Sequence, residues 1–89
     1  MKNTENSAEA TKAFGKLMDL IKTLRSENGC PWDKKQTPET MHPYILEEYH
    51  ELIEAINRGS LSDIVDEFGD LIFLVIFVAY MFEQAGATT

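Results

Sequence analysis

Apolar residues recur along this chain at helical spacing, and no stretch alternates apolar and polar residues with period two over a strand's length. Phe14, Leu17, Met18, Ile21 and Leu24 share one face and predict a first helix from about Ala8 to Ser26. Gly29 and Pro31 end it, leaving residues 27–37 as a loop. Thr37 followed by Pro38 is a helix start, a capping residue before a first-turn proline. Pro43 then predicts a short turn over 38–42 and a second helix from Pro43 to Arg58, with Gly59 just past its end. Ser60-x-x-Asp63 reads as a capping box, opening a third helix from Leu61 to Ala85 that Gly86 closes. The expected architecture is all-α, a bundle of three helices per chain, two of them long, completed by oligomerisation. Residues 1–7 are expected to be a flexible terminus, 8–86 the folded domain and 87–89 a tail.

On a wheel of about 100° per residue, Ile45, Leu46, Tyr49, Leu52, Ile53 and Ile56 form the expected core stripe of the second helix. In the third helix Leu61, Ile64, Val65, Phe68, Leu71 and Ile72 do the same. Past Asp70 that helix is apolar on every side, and such a helix must be buried all round. A monomer of this size would expose a large apolar patch, so a homodimer or homotetramer joined through the third helix is expected.

Composition narrows the classes. The chain has 89 residues, 44% of them hydrophobic, and a net charge of -7. That charge argues against nucleic acid as a principal partner, because phosphate backbones need a positive surface. A nucleotide stays open, since a bound magnesium ion inverts the local field. One cysteine, Cys30, forms no internal disulfide and suits a reducing, cytoplasmic setting. The apolar run from Leu71 to Phe82 is too short to span a bilayer, so no membrane partner is expected.

The chemistry lies in two acidic pairs at i, i+3 spacing, Glu48 with Glu51 and Glu67 with Asp70. Glu48 and Glu67 border the core stripes, each with its partner about 60° further round. A short connection at Gly59 folds the two helices into an antiparallel hairpin that can bring the pairs level. Like charges about 5 Å apart cost roughly 3 kcal/mol at an effective dielectric near 20. Such a cluster asks for a hard divalent cation, and oxygen-only ligands suit Mg2+, with Mn2+ possible, over zinc or copper. Glu54, Asp63 and Asp66 read as solvated surface. Glu47-x-x-His50 matches half of a carboxylate-bridged di-iron site. The other histidine, His42, also follows an acid by three residues, Glu39, but only eight residues earlier in the chain, whereas such a site takes its two Glu-x-x-His motifs from different helices.

Read in order, these residues resemble a known family. Gly29-Cys30-Pro31-Trp32-Asp33-Lys34-Lys35-Gln36-Thr37, then Glu47-Glu48-Tyr49-His50-Glu51, then Glu67-Phe68-Gly69-Asp70 are similar to the loop, E-E-x-x-E and E-x-x-D motifs of MazG-type nucleotide pyrophosphohydrolases. The likeness runs over roughly residues 14 to 85. It implies an all-α oligomer that cleaves nucleoside triphosphates to monophosphate and pyrophosphate with magnesium, clearing unwanted nucleotides. Matched residue by residue, Glu48, Glu51, Glu67 and Asp70 take the metal-ligand positions. Glu47 and Glu51 become candidates to orient or deprotonate the attacking water. Trp32 is a candidate to stack on the base, and Lys34 and Lys35 are candidates to meet phosphates, no basic residue following Arg58. The alternative class is a non-catalytic helical module, for assembly or nucleotide sensing.

Overall fold

The structure, a computed structural model, describes residues 3–86, with side chains from residue 7. The expectations placed on residues 1–2 and 87–89 lie outside the described residues. Four helices follow in order: α1 (Asn3–Leu24), α2 (Pro31–Lys35), α3 (Pro38–Arg58) and α4 (Leu61–Gln84). The class is all-α, as expected. The count is four instead of three, because part of the expected loop is a helical turn. Pro31 opens α2 with φ already set, Asp33 lies in its first turn, and Lys34 and Lys35 lie in its last, matching the helix dipole.

The chain divides into two compact units, Met1–Lys35 and Gln36–Thr89. In the first, α1 starts five residues earlier than its apolar stripe predicts. Its end is closed tightly. The Cys30 amide donates to the Leu24 carbonyl at 3.1 Å, and an Arg25 guanidinium nitrogen donates to the Asp33 carbonyl at 2.8 Å. A side chain at Gly29 would sit 2.3 Å from the Thr23 carbonyl oxygen, so only glycine fits that approach.

In the second unit, α3 is continuous from Pro38 and Pro43 does not interrupt it. A reciprocal cap holds the first turn. The Thr37 hydroxyl accepts from the Thr40 amide at 3.2 Å, and the Thr37 amide donates to the Thr40 hydroxyl at 2.8 Å. That cap and the burial of Met41 outweigh the one hydrogen bond Pro43 removes. Gly59 ends α3 at φ 75°, donating its amide to the Ala55 and Ile56 carbonyls. Ser60 caps α4, accepting from the Asp63 amide at 3.4 Å. Two linking residues leave α3 and α4 packed as an antiparallel hairpin.

The hairpin buries a different stripe from the one hydropathy ranks first. On α3 the inward positions are Met41, Ile45, Glu48, Leu52 and Ala55, spaced four and three residues apart and all buried or half-buried. On α4 the same spacing runs through Asp63, Glu67, Asp70, Leu74, Phe77 and Met81, with Phe77 and Met81 buried. Of the expected core residues, Leu52 is buried, whereas Leu46, Tyr49, Ile53 and Ile56 are exposed on α3. Leu61, Val65, Phe68 and Ile72 are exposed on α4. Each helix carries two stripes of similar period. Hydropathy favours the one without acids, but the Gly59–Ser60 turn sets the other one inward.

Candidate metal centre

The inward seam fixes where the acids point. Glu48 takes an inward position on α3, between Ile45 and Leu52. Glu67 and Asp70 take consecutive inward positions on α4. The antiparallel fold brings the three together, with one carboxylate oxygen from each lying within 4.8 Å of the others. Glu48 and Glu67 are half-buried and Asp70 is exposed, so the cluster opens to solvent on one side.

Glu48 bears the electrostatic cost of this arrangement. Its carboxyl is pushed up to about 7, first by burial, then by a hydrogen bond with Glu67, then by the charges of Glu51, Asp70 and Glu67. A bond between two carboxyls needs a proton on one of them. With both ionised there is no donor, and Glu48 Oε2 is buried without a hydrogen-bond partner. A rise of that size corresponds to roughly 3 kcal/mol against the ionised state. A buried, orphaned carboxylate oxygen facing two further carboxylates is what a hard divalent cation satisfies. The donors are all oxygen, which fits Mg2+ or Mn2+ and argues against zinc.

The other expected site residues are placed differently. Glu51 is exposed and outside the triad, though close enough for its charge to act on Glu48. Glu47 is exposed and, with Glu51, Pro43, Leu46, His50 and Glu54, lines an open depression of about 490 Å³ along α3. Trp32, Lys34 and Lys35 belong to the Met1–Lys35 unit. There Trp32 is exposed and the Lys34 ammonium donates to the Glu27 carbonyl. Asp63 reads as surface in the sequence but is half-buried at an inward position of α4, where Arg58 meets it at 3.3 Å. The spacing 63, 67, 70, 74 is the signal that would have placed it there.

Comparison with known proteins bears on residues 36–89, which match the model of the MazG nucleotide pyrophosphohydrolase domain. Over 72 residues the chain is 47% identical to a nucleoside triphosphate pyrophosphohydrolase of Escherichia coli, covering 80% of this chain and 27% of that protein. Over 81 residues it is 42% identical to a protein of Thermotoga maritima named nucleoside triphosphate pyrophosphohydrolase/pyrophosphatase MazG, covering 91% and 32%. The chain thus spans between a quarter and a third of the length of these relatives. A crystal structure of a MazG-related protein from Thermotoga maritima superposes with a TM-score of 0.73 at 29% identity, covering 84% of this chain and 64% of that one.

Proposed function

Since the chain belongs to the family of the MazG nucleotide pyrophosphohydrolase domain, we propose that it hydrolyses a nucleoside or deoxynucleoside triphosphate to the monophosphate and pyrophosphate, dependent on Mg2+. The observation that carries this reading is the buried, unpartnered Glu48 Oε2 within an all-oxygen cluster. Glu48, Glu67 and Asp70 would hold the cation, Mg2+ or Mn2+, with Glu51 completing the set from the cluster's edge. When bound, the ion neutralises phosphate charge and favours departure of pyrophosphate. In the reaction, a water oxygen bonds to the α-phosphorus and the bond from that phosphorus to the bridging oxygen breaks. The water's proton passes to a carboxylate, and pyrophosphate carries away the electron pair.

Glu47 and Glu51 are assigned to that water. Both are exposed on the same side of α3, and neither is confined to the inward seam, so each is free to accept a proton. Trp32 is assigned to stack on the base, and Lys34 and Lys35 to meet phosphates. The matches over 72 and 81 residues support reading 8–86 as one working domain. No helix among the described residues is long and apolar enough to cross a membrane. We place the protein in the cytoplasm as a homodimer or homotetramer that removes unwanted nucleotides.

Pyrophosphate release from a panel of nucleotides, with and without Mg2+, tests the proposal. Metal-dependent release that Glu48→Gln abolishes is the expected result. Tight nucleotide binding without any release identifies a sensor and overturns it.

A further inference from the structure

We propose that Arg25 is a positioning residue for the nucleotide: it clamps α2 so that Trp32 and Lys35, and not Lys34, present one face to the substrate. The inference rests on the nucleotide reading above. It adds which side chains hold the binding face together and which of the two lysines belongs to it. All the contacts concerned lie within the Met1–Lys35 unit.

Five residues are too few for a helix to stand by itself, because one turn of hydrogen bonds does not offset the cost of nucleation. Instead, α2 is tied from both sides across the turn that precedes it. The half-buried Arg25 reaches forward, its guanidinium donating to the Asp33 carbonyl at 2.8 Å and to the Lys34 carbonyl at 3.5 Å. Those carbonyls belong to the last turn of α2 and have no partner within so short a helix, and a cation there suits the helix dipole. The Lys34 ammonium reaches back and donates to the Glu27 carbonyl at 2.6 Å. Between the two ties the Cys30 amide holds the Leu24 carbonyl at 3.1 Å, and the Gly29 amide holds that of Ser26 at 2.9 Å.

The rotation of α2 then sorts its side chains. Asp33 is buried and marks the inner side. At about 100° per residue, Trp32 and Lys35 stand about 60° apart, the i, i+3 relation, and both are exposed. Lys34 lies about 160° from Trp32, and its ammonium is already engaged by the turn. An indole and an exposed ammonium on one face suit a nucleotide, the flat ring taking the base and the charge a phosphate oxygen. Held in place beforehand, the pair binds without first having to be ordered, which is what the Arg25 clamp contributes.

Trp32 is the single tryptophan of the chain, so its fluorescence reads the state of α2. Acrylamide quenching of that emission is measured on the full chain. Calorimetry with a non-hydrolysable nucleoside triphosphate in Mg2+ gives the affinity. Arg25→Ala should change the quenching and raise the dissociation constant about tenfold, and Arg25→Lys should recover only part of both. Lys35→Met should raise the constant about tenfold with the quenching unchanged. Lys34→Met should alter the quenching as Arg25→Ala does. Wild-type quenching and affinity in Arg25→Ala, or in Arg25→Lys where circular dichroism shows the alanine variant unfolded, overturn the clamp. Weaker binding in Lys34→Met with wild-type quenching overturns the division between the lysines. A wild-type chain that shows this binding pattern but releases no pyrophosphate overturns the hydrolase reading and supports the clamp. A wild-type chain that binds no nucleotide overturns both.

Discussion

The inward seam of the α3–α4 hairpin has two halves with the same spacing and opposite chemistry. Toward the far end, Met41, Leu74, Phe77 and Met81 fill it with side chains whose burial is itself favourable. Around Glu48, Glu67 and Asp70 the same kind of position holds carboxylates, whose burial is not. The first half stabilises the hairpin as it stands. The second leaves Glu48 Oε2 without a partner and its carboxyl pushed up to about 7. Packing geometry therefore selects positions, and residue type decides whether a position holds the fold together or gathers carboxylates at a cost.

The comparison breaks most visibly if its apolar half is emptied. Phe77→Ala removes a fully buried ring and should lower the unfolding free energy by about 3–5 kcal/mol, measured by denaturant titration. A loss below about 1 kcal/mol would show that this half is not packed. Converting the acidic half is the complementary change. Glu48→Leu should abolish Mg2+-dependent pyrophosphate release, by on the order of a hundredfold or more. It should also make the metal-free protein more stable, by up to roughly 3 kcal/mol at alkaline pH. Undiminished turnover would remove Glu48 from the ligand set.

Acidity sharpens the contrast without mutation. The folded-state pKa of Glu48 lies above the ordinary 4.5, so protonation favours the folded chain. As pH rises from about 4.5 to about 7, the unfolded chain gives up this proton before the folded one, and the metal-free protein should lose roughly 3 kcal/mol. Saturating Mg2+ should restore that stability above pH 7. Below it, metal binding should release protons, read by calorimetry in buffers of different ionisation enthalpy. A melting temperature unchanged over this window, with and without Mg2+, would contradict the cluster's electrostatics. The smallest expected effects lie away from the inward seam. Glu47→Gln should slow turnover about tenfold or more while Mg2+ affinity stays unchanged. Gly59→Ala, at φ 75°, should cost about 1–2 kcal/mol of stability and no specific activity.

Much of the fold was legible residue by residue. The caps at Thr37 and Ser60, the glycine at 59 and the apolar periods located α3 and α4 to within a few residues, because those signals are local. Pro43 misled because a proline's cost was weighed without the Thr37–Thr40 cap and the buried Met41 beside it. The five-residue α2 was missed since one turn leaves no period to detect. In the acidic pairs, spacing identified Glu48, Glu67 and Asp70 as companions, but the equal treatment of Glu51 was not matched by the geometry. An i, i+3 interval places two side chains on neighbouring parts of a helix face: on α4 both Glu67 and Asp70 fall within the cluster, whereas on α3 only Glu48 does.

By itself the sequence determined that the chain is helical, where its long helices turn, and which acids gather, since capping, period and charge act over a few residues. Which of two similar apolar stripes turns inward was decided only when the Gly59–Ser60 connection laid α4 back along α3. Burial is a property of both helices at once: the same step hid Glu48 Oε2 and left Leu61, Val65 and Phe68 facing water.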